Sequence, residues 1–346
     1  MTTTTPSARL RRTGRATFAL LAVAGLAAGL TAGAAAQSPS AAALPPVEEG
    51  TFQMGVEPWI GYGPWWIADK NGHFEANGVD TVVTNFNTDA DINAALMSGQ
   101  INGANIATHT ALRLASEGTP ITIVLLLDQS NAADAILAGA DITSVADLAG
   151  KQVAYEEGTT SDILLRYALG QNGLTIDDIE PVLMGAGDAG TAIIAGQVPA
   201  AVTYEPYITT ALTEGEGINL LYTAAEKPGL IGDVFVVQND YLAAHPGQVY
   251  ALIQAWGDAM ADYDADPAAG QAIIEEAVGA EIGSLKTAFD GVDLYDLAEA
   301  KALMTGGEYD ATIGEVKDIA LAAGIMAQDV DAGSIIDTSY ISTLVP

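Results

Sequence analysis

From residue 51 onward, short apolar runs alternate with longer stretches in which apolar residues recur every three or four positions. The runs 51–57, 79–86, 102–107, 121–127, 134–139, 151–156, 179–184, 200–205, 218–223 and 233–238 have the length and composition of strands. Between them the helical period covers 64–77, 89–98, 108–117, 144–148, 160–171, 189–196 and 206–214. Thr88 or Asp89 stands as a cap, and Asn77-Gly78, Ser98-Gly99 and Glu117-Gly118 stand where helices stop. From Gln248 the pattern is helical, through "VYALIQAWGDAMADY", "GQAIIEEAVG", "IGSLKTAFDG", "LAEAKALM" and "IGEVKDIALAAG". Helices alternating with short strands predict an α/β fold with mostly parallel sheets, its helical tail clothing one lobe.

One segment obeys neither period. "MGVEPWIGYGPWWIADKNGHF", Met54 to Phe74, gathers three of the four Trp and Tyr62 between prolines and glycines. Pro64 opens a helix there, which makes Trp66 a residue of its first buried turn. Trp59 and Tyr62 precede that helix on a loop, and Trp65 stands beside Trp66 at its start.

Composition changes the setting. Arg9, Arg11, Arg12 and Arg15 precede an Ala/Gly-rich apolar run that ends Ala34-Ala35-Ala36, the order of an export signal with its cleavage site. A mature start at Gln37 is expected; an uncleaved anchor is the alternative, since the run is long enough to span a bilayer. The chain has 346 residues, a formal net charge of −32 and no Cys. Such a balance excludes nucleic acid as a natural partner, because phosphate backbones demand Lys and Arg. Without disulfides the exported fold depends on core area, and its length permits two lobes.

Several short motifs invite chemistry. Gly185-Ala186-Gly187-Asp188-Ala189-Gly190 matches G-x-G-x-x-G between a strand and a helix, with Glu205 twenty residues past its first glycine. Glu180 and Pro181 in that strand, and the short helix, favour a plain glycine-rich turn over a dinucleotide site. "DYDADPAAGQAI" opens like a calcium loop but has Pro267 and Ile273 where Gly and Glu are needed. With three His (His73, His109, His245), no Cys and no nucleophile elbow, no catalytic constellation emerges. A binding protein without cofactor or metal is the expectation. An exported dinucleotide-dependent oxidoreductase using the Gly185–Gly190 turn is the alternative, separable by an absorbance scan. A regulatory effector-binding lobe would need a DNA-binding segment, and residues 1–50 offer none.

Helix starts after strand ends are the better lead. Thr88-Asp89, Thr108-His109-Thr110 and Gly158-Thr159-Thr160-Ser161 lie at carboxyl edges of strands, where open α/β sheets bind ligands. A helix N-terminus can hold an anion without Lys or Arg, although Thr and Ser at such places also serve simply as caps.

The order of "GYGPWWIADKNGHFEANGV", "ALMSGQINGANIA", "DQSNAADAIL", "SVADLAGKQVAYEEGTTSDILLRYAL", "AAVTYEPYIT", "IGDVFVVQNDYLAAHP" and "VYALIQAWGDAM" resembles the nitrate/sulfonate/taurine group of ABC-transporter substrate-binding proteins, across residues 51–300. The resemblance implies a periplasmic-binding-protein-like fold of type II, hinged, with the C-terminal helices on the first lobe. It implies 37–141 and 229–346 as lobe 1 and 142–228 as lobe 2, with crossings near Asp141 and Pro228. It further implies a monomeric periplasmic receptor that delivers a small solute to an ABC permease in the inner membrane. The site residues it suggests are Trp59, Tyr62, Thr108, His109, Gln129, Asp134, Gly158, Thr159, Thr160, Ser161, Tyr204, Glu205 and Asp233. No Lys or Arg lies in these loops, while Asp134, Glu205 and Asp233 do. A ligand with a cationic end therefore suits the site, its anionic end lying at Thr159–Ser161. A taurine-like zwitterion fits, as do a betaine or a neutral pyrimidine precursor.

Overall fold

The computed structural model describes residues 44–345; the basic and apolar leader read at 1–36 lies outside the described residues. Eleven strands are described: β1 Thr51–Val56, β2 Asp80–Asn85, β3 Gly103–Ala107, β4 Ile121–Ser130, β5 Asp134–Gly139, β6 Gln152–Tyr155, β7 Glu180–Leu183, β8 Ala200–Tyr204, β9 Ile218–Thr223, β10 Gly232–Gln238 and β11 Val292–Leu294. They form two sheets, with orders β11-β4-β10-β3-β1-β2 and β7-β6-β8-β5-β9. Each sheet, with the helices that cover it, is one lobe.

The sheets are mixed, not mostly parallel. β1 runs parallel to β2 and β3, and β6 to β7 and β8, as strand–helix–strand units require. β10 runs antiparallel to β3 and β4, β5 to β8 and β9, and β11 to β4. β5 and β10 are the strands on which the chain enters a sheet after leaving the other, and a direct passage carries no crossover helix to set a parallel direction. The chain leaves the first sheet after Ser130 and returns at Gly232. The expected crossing near Asp141 thus falls after β5, which belongs to the second sheet.

Edges and interiors follow the residues. β4 is buried along nearly its whole length, consistent with its apolar run. β7 contains Glu180 and Pro181 and is an edge strand, the place where a missing N–H is tolerated. The helix expected over 64–77 breaks at Gly72, whose φ is 77°, into Gly63–Asn71 and His73–Ala76. "IGSLKTAFDG" is not an α-helix; only its end, Phe289–Gly291, forms a 3-10 turn. The buried Glu275 carboxylate accepts the N–H groups of Gly283 (2.6 Å) and Leu285 (2.8 Å), which holds this segment in turns that lead into β11. The C-terminal helices Pro246–Ala265 and Pro267–Ala277 pack on Gly63–Asn71 in the first lobe.

Trp65 and Trp66 belong to that packing. Trp65 is fully buried, 4.9 Å from the Trp256 ring and 5.3 Å from Phe235, and its indole N–H donates to Asn105 Oδ1 at 2.7 Å. Its role is therefore core, not ligand contact. Trp65→Ala should cost about 3–5 kcal/mol, the range for removing a buried aromatic ring, and more if Asn105 is left without its donor. Urea unfolding measures it; a loss under about 1 kcal/mol would show that this aromatic cluster does not anchor the first lobe.

Candidate functional site

The carboxyl ends of β1, β2, β3, β6 and β8 converge where the two sheets meet, the edge at which open α/β sheets present their loops. The cavity there is lined from the first lobe by Glu57, Trp59, Tyr62, Asp89, Asn105, Ile106, Ala107, Ile231 and Asp233. Asp134, Thr160 and Tyr204 line it from the second. Its central space is ≈ 20 Å³, about the room one water needs.

Aromatic rings and acids are tied together pairwise. The Trp59 indole N–H donates to Asp128 Oδ2 at 3.2 Å, and the Tyr62 hydroxyl to Asp233 Oδ1 at 3.1 Å. The Tyr204 hydroxyl donates to Glu57 Oε2 at 3.4 Å, and its ring meets Trp59 edge-on at 5.8 Å across the lobes. Gly61 is required here, since a Cβ would lie 2.2 Å from Trp59 Nε1 and 2.3 Å from Asp128 Oδ2. Asp128 and Asp233 are register partners on β4 and β10, so two buried carboxyls face each other.

The acids have unusual proton affinities for a physical reason. Burial first, then neighbouring carboxylates, push Asp89 up to about 8. Burial pushes Asp134 up to about 7, while the hydroxyls of Ser130 and Thr160 pull it back. Asp233 rises to about 6 through burial, held back by bonds from Asp128, Tyr62 and Trp59. Glu57 and Asp128 also rise well above the ordinary carboxylate range, burial again leading. Among the described residues lining the cavity there is no Lys or Arg to balance them. A desolvated carboxyl without a cation keeps its proton.

The other sequence-predicted positions fall elsewhere. Thr108 and Gln129 line a separate chamber of ≈ 110 Å³ with Tyr295 and Tyr309. His109 is buried, neither ring nitrogen has a hydrogen-bond partner, and burial followed by the Arg113 guanidinium pushes it down to about 3. The Gly158–Ser161 stretch caps its own helix. Gly158 N–H donates to Asp162 Oδ2 at 2.9 Å, Thr159 Oγ1 accepts from Ser161 N–H at 3.2 Å, and Ser161 Oγ donates to the Val202 carbonyl at 3.4 Å. Gly158 and Thr159 line an outer groove with Arg113 and Arg166; Thr160 alone of this stretch lines the cavity. Glu205 spends both oxygens on Thr209, accepting its N–H and its hydroxyl at 2.9 Å each. It thus steadies the start of the helix Tyr207–Glu214.

The glycine motif is no nucleotide turn. Gly185 precedes the helix Ala186–Ile194, and Gly187 and Gly190 lie inside it against Tyr207. The Ala186 N–H, where a pyrophosphate would sit, donates to Glu156 Oε2 at 3.2 Å. The protein's own carboxylate fills that anion seat, so the oxidoreductase alternative loses its motif. Glu57, Asp128, Asn105, Glu156 and the Asp89 side chain were not anticipated. Glu57 and Asp128 carried a readable signal, an acid at or just past the end of an apolar strand.

A family model described as NMT1/THI5 like matches residues 59–270. A binding protein of Brucella abortus is 24% identical over 267 residues, covering 77% of this chain and 83% of its own. The taurine-binding periplasmic protein of Escherichia coli is 27% identical, covering 53% of this chain and 57% of its own. The alkanesulfonate-binding protein of Xanthomonas axonopodis pv. citri, solved bound to MOPS, superposes with a TM-score of 0.71 at 19% identity, over 84% of this chain and 99% of its own.

The raised carboxyls link stability to pH. In the fold they hold protons that the unfolded chain has already released, so their contribution is complete below about pH 4. It is lost as pH rises through about 6, 7 and 8 for Asp233, Asp134 and Asp89. His109 acts oppositely: neutral in the fold, it destabilises as pH falls below its unfolded value of about 6.5. The melting temperature should therefore rise as pH falls from about 9 toward about 5, with His109 offsetting part of the gain below about pH 6.5. Asp134→Asn should flatten the rise between about pH 6 and pH 8. An unchanged slope in calorimetric melts of the variant would show that Asp134 carries no proton there.

Proposed function

The chain belongs to the NMT1/THI5-like family, and from that premise we propose that it is the extracytoplasmic solute receptor of an ABC importer. It takes a small organic solute with a cationic end into the cavity between its lobes and delivers it to a membrane permease. A taurine-like zwitterion is the favoured ligand. The observation that carries this reading is the ring of desolvated carboxyls from both lobes, faced by Trp59, Tyr62 and Tyr204, with no basic side chain among the described lining residues. A cation replaces the protons those carboxyls otherwise retain, and aromatic faces add their own attraction to it. Asp134, Asp233 and Glu57 hold the cationic end. The anionic end lies toward Thr160 at the first turn of its helix, where the amide dipoles favour negative charge.

The relatives that share two thirds or more of their length with this chain are named as binding proteins, which supports a binder over an enzyme, although a synthase of Schizosaccharomyces pombe matches 59% of the chain. The lobes then correspond to the two sheets, joined at 130–134 and 223–232. A space of ≈ 20 Å³ cannot admit a solute unless the lobes part, so entry occurs in an open form and retention in a closed one.

A thermal-shift screen tests the reading. Taurine and glycine betaine should raise the melting temperature, whereas methanesulfonate and nitrate should not. A ligand at a hundred times its dissociation constant stabilises by about 2.7 kcal/mol. Asp134→Asn should weaken zwitterion binding about ten- to a hundredfold, the range for a bond to a charged group. Tight binding of the bare anions, unaffected by Asp134→Asn, would overturn the proposal.

A further inference from the structure

We propose that Glu156 is a positioning residue whose carboxylate joins one helix of each lobe and holds the cleft shut; its purpose, though not its geometry, rests on the receptor reading above. Glu156 directly follows β6 in the second lobe. Its Oε1 accepts the Asp89 N–H at 3.1 Å, and its Oε2 accepts the Ala186 N–H at 3.2 Å. Asp89 opens the first-lobe helix Asp89–Met97, and Ala186 opens the second-lobe helix Ala186–Ile194. Unpaired N–H groups at the start of a helix carry partial positive charge, so one carboxylate between two such ends is attracted by both.

The glycine motif makes this approach possible. A Cβ at Gly185 would lie 3.3 Å from Thr88 Cγ2 and 4.0 Å from the Asn87 carbonyl, so the loops before the two helices touch. Gly187 and Gly190 admit Tyr207 against the second-lobe helix, and the Tyr207 ring stands 5.5 Å from that of Tyr204. Asp89 and Tyr204 both line the cavity. A contact that exists only while the lobes meet therefore also sets two walls of the ligand space. Opening the cleft exposes the Asp89 N–H; closing it returns that N–H to Glu156.

Amide hydrogen exchange and inter-lobe distance test this in the full chain. The sequence has no Cys, so dye labels can be placed at Val82→Cys on β2 and Leu220→Cys on β9, both exposed. In Glu156→Ala, the Asp89 and Ala186 amides should both exchange about ten- to a hundredfold faster, and the labels should move apart without added solute. Glu156→Gln keeps the shape and should give a smaller change in the same direction. The exposed neighbour variant Glu157→Gln should give none. Faster exchange at Ala186 alone, with Asp89 and the label distance unchanged, would make Glu156 a cap within its own lobe and overturn the proposal. Failure of the parent chain to bind any zwitterion counts against the receptor reading and leaves these two readouts intact.

Discussion

Carboxyl groups buried where two sheets meet set the terms for the rest of this molecule. Glu57, Asp128, Asp134 and Asp233 are almost completely removed from water. An isolated carboxylate in such a place is unstable by many kcal/mol, and the group responds by keeping a proton or finding a cation. Trp59, Tyr62 and Tyr204 donate to three of these acids, which settles part of their charge and fixes the rings in the cavity wall. The proton affinities, the aromatic arrangement and the class of solute proposed all follow from that one constraint. A solute with a cationic end is complementary to it; a bare anion is opposed by it.

The constraint also separates this cavity from the net charge of the chain. Exposed acids are screened and solvated, and they speak to solubility more than to a site. The cavity carboxyls are the desolvated ones, drawn from both lobes, so their mutual repulsion and their hold on protons depend on how closely the lobes meet. The proton affinity of Glu156 is raised by burial as well, but the amides of Ala186 and Asp89 offset part of that cost, and it connects the lobes where the cavity acids repel.

Much of the fold was legible because hydrophobic period survives in the sequence. β5, β9 and the helix Thr160–Gln171 fall at their predicted bounds, each an apolar run or stripe between clear stop signals. What failed was non-local. Nothing near "IGSLKTAFDG" announces that Glu275 will capture its amides, and no local pattern gives the antiparallel entry of β5 and β10. The candidate cavity was half legible. Trp59, Tyr62, Asp134, Thr160, Tyr204 and Asp233 line it, at loops, strand ends or helix starts that the sequence marks. Glu205 looked equivalent to Asp134 by position, yet a nearby Thr209 takes both its oxygens. A single acid after an apolar strand, as at Glu57 and Asp128, is common in sequences, and only the meeting of two sheets makes it matter.

On the proposed function, the cavity exchanges protons for the cationic end of a solute. Calorimetric titration at about pH 7, with the tightest zwitterion from the screen and in buffers of different ionisation heat, tests it directly. Asp134 and Asp89, raised to about 7 and about 8, are partly protonated there in the free protein, and a nearby cation lowers both. Net proton release on binding is expected, fading as the starting pH is raised above about 9. Heats that do not depend on the buffer, or proton uptake, would contradict it.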